Sequence, residues 1–152
     1  MNLKKKALPK KYKEIVLDTN VFSNKEFCDW LKDSDYAAHI SVITYTELLY
    51  HYLKRKGESG EAFIDAFLEA LNVQVISLDR ECAKIASKSA IGRWDFRTNA
   101  RDYMIGSLAV KLKCPIITSN INDFEWIGED FLFTPEKFLD LEKKEGDNTG
   151  SN

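Results

Sequence analysis

The sequence predicts an α/β fold, a three-layer α/β/α sandwich around a short, mainly parallel, twisted sheet. Three observations carry that expectation. Short apolar runs rich in β-branched residues recur along the chain, each too brief for a helix. Between them, apolar residues return every three or four positions, the spacing of an amphipathic helix. Strands that alternate with helices pair in parallel, and the helices cover both faces of the sheet.

The elements follow in order. Ile15-Val16-Leu17 is a buried strand closed by Asp18-Thr19-Asn20. Residues 25–33 place Phe27, Trp30 and Leu31 at helical intervals. His39 to Ile43 reads as a second strand, and Leu48, Leu49, Tyr52 and Leu53 continue as a helix that ends near the Gly57–Gly60 turn. Phe63, Ile64, Phe67, Leu68 and Leu71 mark a helix over 61–71, and Val73 to Ser77 a third strand. Leu78-Asp79 opens a helix with Cys82, Ala83, Ile85 and Ala86 inward. Residues 92–98 read as a polar, aromatic loop, after which Asn99 opens a helix carrying Met104, Ile105, Leu108, Ala109 and Leu112. Residues 115–118 and 131–133 are the fourth and fifth strands. Pro135 starts a last helix to about Leu141, a position proline favours.

Composition bounds the function. The chain has 152 residues, 44% of them hydrophobic and 30% charged, with a formal net charge of −2. That length suits one domain without repeats. The Lys-rich stretch at 1–13 lacks an apolar core behind it, so it reads as a basic leader rather than a secretory signal. Residues 143–152 are polar, without apolar anchors, and are expected to be a disordered tail. With no run long enough to span a membrane, a cytoplasmic protein is expected. Three separated cysteines and two histidines make neither a disulfide framework nor a zinc site, so any metal must be held by oxygen.

The positions of the acids carry the chemistry. Asp18 follows the first strand, Glu47 comes four residues after Ile43, and Asp123 six after Ile117. Asp102 sits in the first turn of the helix that runs into Pro115. In an open parallel sheet these junctions lie at the carboxyl edge, where ligands bind. Each acid also has an architectural explanation. Thr44–Glu47, Asn99–Asp102 and Asn120–Asp123 have capping-box spacing, and Asp18 could cap the helix after it. Four carboxylates gathered at one edge would repel unless cations neutralised them, and hard oxygen donors select Mg2+ or Mn2+.

Four segments then carry a family resemblance: Ile15 to Phe22, Val42 to Leu48, Asn99 to Ala109 and Pro115 to Phe124. Together they resemble PIN-domain nucleases, and most closely the VapC-type toxin ribonucleases of toxin–antitoxin pairs, over roughly residues 14–140. The resemblance implies a PIN-like nuclease domain over 14–142 and metal-dependent hydrolysis of RNA phosphodiesters. Asp18, Glu47, Asp102 and Asp123 match the family's four acids, with Asp18, Asp102 and Asp123 as metal ligands. Thr19, Asn20, Thr118 and Asn120 match the polar residues that support them. Many relatives carry a further acid near the third or fourth position, whereas Asn99 and Asn120 here are neutral, a departure that bears on a second metal ion rather than the first. A homodimer and an antitoxin partner are also implied.

RNA approaching an acidic pocket needs cations near it. Lys54, Arg55, Lys56, Arg93, Arg97 and Arg101 are candidates, with Trp94, Phe96 and Tyr103 available for base stacking. A housekeeping RNA-processing role and a catalytically weakened RNA- or protein-binding module are the alternatives. A phosphatase with a strand-terminal Asp nucleophile would need an acid at position 20, which is Asn.

Overall fold

The computed structural model describes residues 13–149. The basic leader, apart from Lys13, lies outside the described residues. Five strands form one parallel sheet in the order β3-β2-β1-β4-β5. They are β1 (Glu14–Leu17), β2 (Ala37–Ser41), β3 (Val73–Ile76), β4 (Ile116–Ile117) and β5 (Leu132–Phe133). Six α-helices accompany them among the described residues: α1 (Lys25–Asp33), α2 (Val42–Lys56), α3 (Ser59–Ala70), α4 (Arg80–Ala90), α5 (Phe96–Leu112) and α6 (Pro135–Thr149). Short 3-10 turns occupy Thr19–Ser23, Ile121–Ile127 and Glu129–Phe131.

Alternation along the strands divides the core in two. Ile15, Leu17, Ile117 and Phe133 face α1, α2, α3 and α6, where they meet Phe27, Leu48, Ile64 and Phe138. Val16, Ile116 and Leu132 face the other way, against Ile105, Leu108 and Cys82 of α4 and α5. This is the expected three-layer sandwich, with every strand pair parallel. The strand order runs outward in two directions from β1, so the chain reverses its winding between β1 and β4. In open parallel sheets the ligand crevice lies outside the carboxyl ends of the strands at such a reversal, here β1 and β4.

Several boundaries differ from expectation. The second strand is Ala37–Ser41 rather than 39–43, because Ser41, its last residue, caps α2, its side chain accepting from the Thr44 N–H at 3.2 Å. Val42 and Ile43 favour strands by propensity, but the cap places them in the helix's first turn. The loop read over 92–98 is shorter, because α5 starts at Phe96 and bends at Asn99 (φ −118°, ψ 16°). The segment 143–152, expected to be disordered, is helical as far as Thr149. Lys143 pairs with Glu26 at 3.3 Å, and just before the segment Tyr36 donates to Glu142 at 2.5 Å.

Cys28, Cys82 and Cys114 are all buried and unpaired, as the sequence suggested, and burial pushes the Cys114 thiol up to about 12. No helix among the described residues is long and apolar enough to cross a membrane.

Candidate active site

Asp18 is the first residue beyond β1 and is fully buried. Its backbone N–H still bonds to the Ile117 carbonyl of β4 (3.0 Å), which fixes it at the crevice. A buried carboxylate is costly unless donors surround it. Here the Thr19 N–H donates to Oδ1 at 2.7 Å, the Thr118 hydroxyl to Oδ2 at 2.8 Å and the Asn20 amide to Oδ2 at 3.3 Å. Asp18 is thus also the cap of the 3-10 turn after it, as one sequence explanation required.

The supporting residues are themselves tied across the crevice. The Asn20 side-chain oxygen accepts from the Ser119 N–H (3.1 Å), joining the turn after β1 to the loop after β4. Thr118 accepts from the Asn120 N–H (3.0 Å) while it donates to Asp18. Asn120 therefore contributes its backbone; its side chain makes no hydrogen bond to the turn it opens. The Thr19 hydroxyl donates to Glu47 at 2.7 Å, linking the first acid's turn to α2.

Arg101 sits among these acids. Its Nη2 lies 3.0 Å from Asp18 and 2.7 Å from Glu47, its Nη1 2.5 Å from Asp102, and its Nε donates to Glu47 at 2.8 Å. Three carboxylates, from the residue after β1, from α2 and from α5, therefore converge on one guanidinium. Asp123, on the exposed 3-10 segment, joins them through its charge. Burial pushes the Asp102 carboxyl above its ordinary value; the Arg101 charge opposes this, while Asp123 and Asp18 add to it. At Glu47 burial also pushes upward, but hydrogen bonds from Arg101 and Thr19 and the Arg101 charge outweigh it and leave the carboxyl below its ordinary value.

The capping-box reading fails for Glu47 and Asp102. Ser41, not Thr44, caps α2, and the Glu47 side chain turns to Thr19 and Arg101. Asn99 lies at the bend of α5, where its amide donates to Asp95 at 2.9 Å, and Asp102 pairs with Arg101.

Asp95 is a residue the sequence reading missed. It accepts from the Tyr103 hydroxyl (2.7 Å) and from Asn99, so it fixes the start of the helix that carries Arg101 and Asp102. An Asp four residues before an Asn was the available signal. Packing positions the fourth acid: Trp126 lies against Tyr103 (ring centroids 5.3 Å apart) and over Gly106, where a Cβ would stand 2.5 Å from the indole ring. Only a glycine at this point of α5 lets the segment carrying Asp123 pack so closely.

The remaining cation candidates divide by position. Arg101 belongs to the acid cluster rather than to an exposed basic surface. Lys54, Arg55 and Lys56 occupy the last turn of α2, roughly 10–14 Å farther along the helix axis than Glu47 at about 1.5 Å per residue. Arg93 and Arg97 are exposed around the start of α5. Between them Trp94 is 97% exposed, with a positive φ of 62°, whereas Tyr103 is 1% exposed and unavailable for base stacking. A pocket of about 320 Å³ lined by Ala109, Val110, Lys113, Cys114, Ile127 and Phe131 lies at the other end of α5 and contains none of the acids.

Chemically the site offers oxygen donors only, which fits a hard divalent cation and disfavours zinc or copper. Among the described residues no group of three or more acids is already closed around one point, and Arg101 lies between Asp18, Glu47 and Asp102.

Comparison with known proteins follows the geometry. The chain resembles a VapBC2 complex from Rickettsia felis solved with a promoter DNA fragment, at 21% identity over 79% of this chain and 96% of that one, with a TM-score of 0.58. It resembles a toxin–antitoxin complex from Klebsiella pneumoniae at 21% identity over 80% and 97%, with a TM-score of 0.60. It resembles VapBC-1 from nontypeable Haemophilus influenzae at 20% identity over 82% and 99%, with a TM-score of 0.62. Similarity at this identity establishes the shared fold. No curated protein sequence matches the chain. The PIN domain family model matches residues 15–129, a span that holds all four acids and both strands flanking the crevice; the chain belongs to the PIN domain family.

Proposed function

We propose that the chain is a divalent-metal-dependent endoribonuclease acting in the cytoplasm, the toxin of a type II toxin–antitoxin pair, with 14–142 as its nuclease domain. One observation carries the reading most: carboxylates from three separate elements meet at the crevice between β1 and β4 of a PIN-family sheet. The Klebsiella complex of the same fold contains an antitoxin, which supports a small protein partner for this chain, and a homodimer is proposed with it.

Asp18 and Asp102 would hold Mg2+ or Mn2+, with Asp123 beside them. The bound ion supplies polarisation of the phosphate and a more acidic water. The protein's part is to hold the oxygens still. Thr19, Asn20 and Thr118 fix both Asp18 oxygens, so the ligand is oriented before any ion arrives. Glu47, half-buried, would orient an attacking water. Arg93 and Arg97 hold the RNA backbone, and Trp94 offers an exposed ring to an unpaired base.

The test is cleavage of purified cellular RNA by the full chain with and without Mn2+. Cleavage that requires the ion, stops with chelator and is lost in Asp18→Asn with an unchanged circular dichroism spectrum is expected. Robust cleavage by Asp18→Asn at the same Mn2+ concentration would refute the assignment. RNA binding without cleavage would favour the binding module, and a phosphoenzyme on Asp18 the phosphatase.

A further inference from the structure

We infer that Arg101 competes with a divalent ion for the carboxylates of Asp18, Glu47 and Asp102, and so sets the metal concentration at which the site loads. This rests on the metal-dependent reading above. Arg101 does more than touch the acids. Nε donates to Glu47, Nη1 to Asp102 and Nη2 to Asp18 and, at 3.2 Å, to the Thr19 hydroxyl, while Nη2 also pairs with Glu47 at 2.7 Å. The oxygens concerned include Asp18 Oδ1 and Asp102 Oδ1, the donors an ion bound at this crevice would draw on.

A divalent ion at those oxygens would compete with the guanidinium that already faces them. An ion of this class sits roughly 2.0–2.2 Å from its oxygen ligands, and a guanidinium a few ångströms away would both block its approach and repel it. Asp18 is fully buried, so a cation beside it offsets part of the cost of burying a carboxylate. Arg101 can leave: its side chain is 36% exposed and lies at the rim, whereas the partners of Asp18 on the inner side, Thr118 and the Thr19 N–H, are fixed by the backbone. Thermodynamic linkage then makes the competition reciprocal, each cation weakening the other's hold. In this role Arg101 is a positioning residue that tunes affinity, and its removal tightens metal binding where the loss of a merely structural residue would weaken it.

The experiment measures Mn2+ binding by calorimetry, and free Mn2+ by electron paramagnetic resonance, for the full chain, Arg101→Gln, Arg101→Lys and Asp18→Asn. Arg101→Gln is expected to bind Mn2+ at least fivefold more tightly than the unaltered chain, within the usual range of coupling between sites. Its melting temperature without metal is expected to fall and to rise further on adding Mn2+. Arg101→Lys, which keeps a charge but loses the planar fork, is expected between the two and serves where the glutamine variant does not fold. Unchanged or weaker binding by the folded Arg101 variants, with binding by the unaltered chain that Asp18→Asn abolishes, overturns this inference and leaves the metal-dependent reading standing. Absence of Mn2+ binding by the unaltered chain and by both Arg101 variants overturns the two together.

Discussion

Thr118→Val removes a single hydroxyl from the crevice and changes the side chain's shape very little. In the native protein that hydroxyl donates to Asp18 Oδ2 at 2.8 Å and accepts from the Asn120 N–H. Both Thr118 and Asp18 are fully buried, so no water replaces the lost bond. A hydrogen bond to a charged group contributes about 1.5–3 kcal/mol. Asn120 is exposed, and its freed N–H can turn to solvent at little cost. The variant should therefore lose about 2 kcal/mol, or roughly 4–8 °C of melting temperature at about 2–4 °C per kcal/mol for a chain of this size. Urea unfolding measures it, and the same substitution made in Asp18→Asn gives the coupling. The loss should shrink to about 1 kcal/mol when Asp18 is neutral, the worth of an uncharged bond. A loss under about 0.5 kcal/mol, or one equal in both backgrounds, would show that Thr118 does not support a charged Asp18.

Gly106→Ala gains about 1 kcal/mol of helix propensity but drives a Cβ to within 2.5 Å of the Trp126 ring, an overpacking that costs about 1–3 kcal/mol. A net loss of about 1 kcal/mol and a changed Trp126 environment in near-ultraviolet circular dichroism are expected; a stabilised protein with an unchanged spectrum contradicts the packing account. Glu47 is held below its ordinary value by Arg101 and Thr19 against burial, so it binds a proton less readily folded than unfolded. Its contribution to stability is complete above its ordinary value and is lost as pH falls through the lowered one. Asp102, raised by burial, has the opposite sign: its cost is present above its raised value and is relieved as the pH falls. Glu47→Gln should thus flatten the acid side of the stability profile in urea titrations, whereas a steeper acid loss would reverse the assignment.

How much of this was legible in the sequence depends on the range of the interactions involved. The alternation of strands and helices is local, so the sandwich followed from the spacing of apolar residues, and α1 matched residue for residue. Asp18 was legible because a strand end places it directly, whereas Asp102 is the seventh residue of α5, just past the bend at Asn99, rather than in the helix's first turn. Boundaries went wrong where one side chain overrode propensity. Ser41 drew Val42 and Ile43 into α2, and Asp95 anchored α5 three residues earlier than Asn99 suggested. The contacts of Glu47 and Arg101 were not readable, because their partners are far away in sequence. Glu47 bonds to residues 28 and 54 positions away, and Arg101 reaches Asp18 83 positions away. A four-residue pattern such as Thr44–Glu47 describes a local cap equally well, and only the folded chain decides between them.

The central claim, that this crevice holds a divalent ion on carboxylates from distant segments, is tested most directly by anomalous diffraction from crystals of the full chain grown with Mn2+. A single strong peak within about 2.0–2.3 Å of Asp18 and Asp102 oxygens is expected, with Asp123 near it and the Arg101 side chain displaced. A crevice without Mn2+, with the guanidinium still on all three carboxylates while the ion binds elsewhere, would contradict it.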